Sequence, residues 1–175
     1  MDCYEFLDHI FEQNNEILES KQDSNFFLLI DSAKHHTYIK RWLKTQSKNQ
    51  LNQIGNLFQG TIDESSPLEV SPLLLSINQA NNKALQQTLL VSENIGMFGL
   101  IETSLSKQAL IKHLQPFLQA EMPDGGMALF RFYYPMITLV LDKMLDKQEY
   151  QKLFKPINNW WVQKSNNTFK HLVSN

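Results

Sequence analysis

Asp31, Ser32, His35 and His36 bring a carboxylate, a hydroxyl and two imidazoles into one short stretch. Such a set at the end of a strand is the material of nucleophilic catalysis, in which a base activates the hydroxyl and a third group orients the base. Neighbouring histidines on a helix, however, point about 100° apart, so the pair cannot easily share a metal ion or a proton path. The plainer reading has Asp31 or Ser32 capping the following helix while both histidines face solvent. His9, His113 and His171 lie far apart in the chain and have no metal-ligand spacing. A GxGxxG run, a phosphate-binding P-loop and a GxSxG elbow are all absent. The residues therefore give no catalytic set, no cofactor site and no metal site.

Arg131 is more informative. The chain has 14 lysines but only two arginines, Arg41 and Arg131. In a strand over 127–132, alternation puts Arg131 on one face with Leu129, while Phe130 and Phe132 point the other way. A guanidinium among apolar residues needs a carboxylate or backbone carbonyls, because burying it unpaired is costly. Trp160 and Trp161 are consecutive. In a strand, one ring faces the core and the other faces outward, either as a partner-binding anchor or as a ring covered by the C-terminal tail. Both remain candidates for partner binding.

The elements that must position these residues follow from periodicity. Residues 2–19 carry apolar residues at helical spacing, with Asp2 and Glu5 in a capping-box pattern. A continuous apolar run at 26–30 predicts a strand buried on both faces, the run at 73–77 a second buried strand, and 97–102 reads as a third strand. A fourth strand is predicted over 127–132 and a last one over 160–162, with Leu57–Phe58 as a short additional piece. Helices are expected over 34–44, 82–91 and from Ser104 to the break at Pro116. Asp124-Gly125-Gly126 is a turn, and Pro135 opens a helix to about Leu145 that is apolar nearly all round and so expected to be central. Asp146 and Glu149 form a capping box for one more short helix. Strands alternating with helices predict an α/β fold, with a mainly parallel or mixed sheet of about four to five strands flanked by helices.

At 175 residues the chain fits a single domain, divided into an N-terminal helix (1–22), a core (26–162) and a C-terminal tail (163–175) expected to fray apart from Phe169 and Leu172. Hydrophobic residues make up 42% and charged residues 19%, a composition that folds rather than one that stays disordered. A net charge of −2 offers no cationic surface for nucleic acid. The lone cysteine, Cys3, cannot form an internal disulfide, and the acidic N-terminus does not read as a signal peptide. No apolar run is long enough to span a bilayer. The expected setting is the reducing cytoplasm.

Several segments, in order, resemble the effector-adaptor (chaperone) domain of bacterial type VI secretion. FFLLIDSA at 26–33 is similar to that family's opening strand, which ends in Asp-x-Ala. NLFQGT at 56–61 and PLLLSI at 72–77 resemble its loop followed by a proline-led apolar strand, and 96–118 resembles its glycine-containing strand, serine turn and leucine-rich helix. PDGGMALFRFYYPMITLVL at 123–141 matches an Asp-Gly turn, a strand ending in Arg-Phe, a proline corner and an apolar helix. Family members usually have Asp before that proline and Arg after it; here the residues are Tyr134 and Met136. Asp31 is the candidate replacement partner for Arg131, so Asp31, Gly125, Arg131 and Pro135 are the structural candidates. The resemblance implies a non-catalytic chaperone, with no cofactor, that holds a cognate toxin effector and helps mount it on the VgrG spike. The competing readings are an immunity protein that neutralises a neighbouring toxin and a hydrolase using Ser32 with His35 or His36.

Overall fold

A computed structural model describes residues 24–77, 95–164 and 168–172 of the chain. The helices predicted over 2–19 and 82–91 lie outside these residues. Seven of the strand-forming residues, NFFLLID, make β1 (Asn25–Asp31), and a single 3-10 turn leads to α1 (His36–Thr45). Next come α2 (Lys48–Gln53), β2 (Gly55–Asn56), β3 (Pro72–Ser76) and β4 (Phe98–Thr103). Ser106, not Ser104, caps α3 (Lys107–Leu114), its hydroxyl accepting from the Ala109 N–H, and Pro116 turns the chain into a 3-10 segment. A hairpin follows, β5 (Gln119–Glu121) and β6 (Met127–Leu129), then α4 (Pro135–Thr138), α5 (Leu141–Met144) and α6 (Lys147–Phe154). The chain closes with β7 (Ile157–Gln163) and β8 (Phe169–Leu172).

Among the described residues the main sheet has six strands in the order β2-β3-β1-β4-β7-β8, and every neighbouring pair is antiparallel. The expected mainly parallel or mixed sheet of four to five strands is therefore wrong. A continuous apolar run reports that both faces of a strand are covered, and it is silent on the direction of the neighbouring strand. Here both faces of β1 are covered within an antiparallel sheet. Phe27 and Leu29 join a cluster with Leu110, Leu114, Phe132, Phe154 and Trp160, while Phe26, Leu28 and Ile30 join one with Ile39, Leu73, Phe98 and Leu100. At about 25 cal/mol per Å² of apolar surface, these two layers carry most of the drive to fold.

Two further expectations fail for local reasons. The predicted strand over 127–132 stops at Leu129 and pairs only with β5, away from the main sheet. The Phe132 N–H turns back onto the Phe130 carbonyl (2.9 Å) and the Tyr134 N–H onto that of Arg131 (2.9 Å), which ends the extended run. The helix after Pro135 is likewise broken. The Thr138 hydroxyl donates to the carbonyls of Phe132 (2.6 Å) and Tyr134 (3.0 Å), the Val140 N–H reaches back only three residues, and a new turn starts at Leu141. The segment expected to be central instead buries Thr138 and Leu141 and exposes Met136, Val140 and Met144.

Candidate functional site

Among the described residues, Asp31 and Arg131, two of the sequence-derived site residues, meet at one corner of the fold. β1 carries Asp31 on the same face as Phe27 and Leu29, so its carboxylate ends up fully buried. The turns after Leu129 bring Arg131 over it. The Arg131 Nη2 donates to both Asp31 oxygens at 2.8 Å, with the arginine side chain 39% exposed and the aspartate 0%. The contact joins residues 100 positions apart and ties the end of β1 to the corner before α4.

Charge and burial divide unevenly between the partners. Burial pushes the Asp31 carboxyl above its usual range, and the opposing pull of Arg131 and Lys34 does not fully offset it. For Arg131, partial burial lowers the pKa, while the hydrogen bond and charge of Asp31 raise it by more. Both shifts are upward because the aspartate has lost all its water and the arginine has kept much of its own. Tyr133 packs into the core beside the pair, and burial there lifts its hydroxyl to about 12. The rings of Tyr133 and Tyr134 lie 6.0 and 5.5 Å from the guanidinium carbon, and Lys34 Nζ donates to the Tyr134 hydroxyl at 2.9 Å.

The tempting catalytic stretch is not assembled. Neither Asp31 nor Ser32 caps the following helix by its side chain, since the Asp31 oxygens are engaged by Arg131. The Ser32 hydroxyl is buried with no hydrogen-bond partner among the described residues, while His36 is exposed and His35 rests on the Tyr38 ring, 5.7 Å between centroids. Among the described residues no group of three or more His, Cys, Asp or Glu side chains could hold a metal ion, and no helix is long and apolar enough to cross a membrane.

The tryptophans separate as strand alternation requires. Trp160 is buried between Phe132 and Phe154, at ring-centroid distances of 6.4 and 5.5 Å, so it is not available as a partner-binding anchor. Trp161 faces the other side and is half-buried. β8 folds back along β7, and the His171 ring stacks on Trp161 at 5.2 Å. Phe169 and Leu172, the tail residues expected not to fray, bound this strand, and the tail covers Trp161. Gly125 stands at φ +80° in the hairpin turn, where the Met122 and Gly125 N–H groups close the loop, and Pro135 occupies the first turn of α4.

Residues not singled out from sequence are the surface methionines. Met122, Met127, Met136 and Met144 are exposed, together with Leu129 and Val140. The signal was present in the recurrence of methionine either side of the Arg131 corner, but the helical pattern assigned half of them to the core.

The model of a family described as a domain of unknown function (DUF4123) matches residues 26–152. The chain belongs to that family. The matched span starts in β1 and reaches into α6, so the DUF4123 domain includes Asp31, Arg131, the β5–β6 hairpin and the exposed methionines. The strands β7 and β8, with both tryptophans, lie beyond the matched residues. No curated protein and no solved structure matches the chain significantly.

Proposed function

We propose that this DUF4123 chain is a non-catalytic adaptor that binds a cognate type VI secretion effector and assists its loading onto the VgrG spike in the cytoplasm. The observation that carries the reading is the exposure of four methionines within residues 122–144. Met122, Met127, Met136 and Met144 are 47%, 56%, 53% and 53% exposed, and Leu129 and Val140 in the same stretch of chain are exposed as well. Methionine is ordinarily a core residue, and its unbranched, polarizable side chain moulds itself to varied apolar partners. Exposed apolar side chains gathered in one stretch of chain, 122–144, suit a protein that covers a client's apolar surface. The resemblance of the 26–33, 72–77 and 123–141 segments to type VI effector adaptors supports the same client class.

Deleting the gene while following effector secretion tests the reading. Secretion should be lost, and the effector should co-purify with the chain. Normal secretion in the deletion strain would refute the adaptor role. Protection of a susceptible cell by the chain alone would instead support an immunity protein.

A further inference from the structure

The β5–β6 hairpin stands apart from the main sheet and, among the described residues, no third strand joins it. Its ladder alternates. The Phe130 N–H donates to the Leu118 carbonyl and the Met122 N–H to the Gly126 carbonyl, both inward, so Gln119 and Glu121, paired with Leu129 and Met127, direct their N–H and C=O groups outward. Among the described residues the outer edge of β5 is thus an open template for another strand. It borders a groove of about 530 Å³ whose walls include Pro116, Leu118 and Gln119 on one side and Ile62 on the other. Ile62 is 75% exposed at that lip.

The charge of the site selects its occupant. No Lys or Arg occurs between Lys112 and Arg131, while Glu121 and Asp124 stand exposed on the hairpin. Asp63 and Glu64 follow Ile62 directly. Against these four acids the groove itself carries one cation, Lys112. A second copy of the chain pairing on this edge would set Glu121 against the same acidic strand, an arrangement that like charges oppose. We propose that the outer edge of β5 receives an extended, lysine- or arginine-bearing apolar segment of the client as a third strand, with Ile62 covering its apolar side chains. The proposal rests on the adaptor reading, which supplies the client.

The test titrates isotope-labelled full-length protein with a short peptide alternating lysine and valine. Binding should slow amide exchange at Gln119 and Glu121, and N-methylation of alternate peptide amides should weaken it about tenfold or more, because backbone pairing is removed. Glu121→Lys should weaken that peptide and favour a glutamate–valine counterpart; Ile62→Glu should weaken both. Absence of binding, protection confined to other residues, or indifference to N-methylation would overturn the proposal. So would a dimer that Ile62→Glu dissolves, since the edge would then belong to a second copy. In cells the two readings separate. Secretion that depends on the chain but is normal with Glu121→Lys and Ile62→Glu overturns the hairpin site alone, whereas secretion that needs no adaptor overturns both.

Discussion

Replacing Arg131 by Ala should cost more stability than replacing Asp31 by Asn, although each removes one half of the same ion pair. Arg131→Ala leaves a carboxylate with no exposed surface and without its ion-pair partner, Lys34 acting on it only at longer range. Breaking a fully buried pair costs about 3–5 kcal/mol; because the arginine is partly open to water, the expected loss is about 2–4 kcal/mol. That corresponds to a fall in Tm of roughly 4–16 °C for a chain of this size. Asp31→Asn keeps the volume and one acceptor oxygen, and the freed guanidinium can turn to water, so its cost is about 1–2 kcal/mol. The pH dependence separates this mechanism from a simple loss of packing. The Asp31 pKa is already raised in the folded protein, so its contribution to stability is fully present below the unfolded carboxylate value and is lost as pH rises through the folded one. Removing Arg131 raises the folded value further and extends that window toward neutrality. Urea denaturation across pH 4.5 to 8, with approximate half-unit steps, should show Arg131→Ala losing up to about 1.4 kcal/mol per pH unit relative to the native chain as pH rises. The Asp31→Asn/Arg131→Ala double variant should lack this extra slope. Equal losses for the two single variants, or a pH-independent loss in Arg131→Ala, would refute the reasoning.

Gly99→Ala places a Cβ 2.6 Å from Trp160 Nε1 and should cost about 1–3 kcal/mol by overpacking. Chemical denaturation of a double variant with Trp160→Phe should recover part of that loss, because the clashing pyrrole ring is gone. Trp160→Ala should cost about 3–5 kcal/mol, the range for emptying a buried aromatic site. Trp161→Ala, which loses the His171 stack at a half-buried site, should cost about 1–2 kcal/mol, and thermal melts rank the two. Asp146→Ala removes the side chain that accepts from the Glu149 N–H at 2.8 Å and should cost about 1 kcal/mol, measured as a shift in denaturation midpoint.

Local chemistry was legible wherever the deciding interactions are near in sequence. The apolar runs at 26–30 and 73–77 mark β1 and β3, Pro116 ends α3, Asp146 and Glu149 cap α6, and Asp124-Gly125-Gly126 makes the hairpin turn. Each is set by propensity, capping or backbone freedom within a few residues. The pairing of Arg131 with Asp31 was also within reach, because a lone arginine in an apolar stretch demands a carboxylate and the neighbouring positions offer none.

Strand direction, the fate of the 127–132 run and the exposure of the methionines were decided only by the folded chain. Burial on both faces is compatible with either direction, so the antiparallel order of β3, β1 and β4 could not be read from their composition. The Phe130–Tyr134 turns and the Thr138 hydroxyl redirect a continuous apolar stretch, sending Phe132 and Leu141 inward and Met136 and Met144 to the surface. Sequence specifies which residues are able to bury themselves. Which of them do so depends on how the available space is shared once the two faces of the sheet have filled.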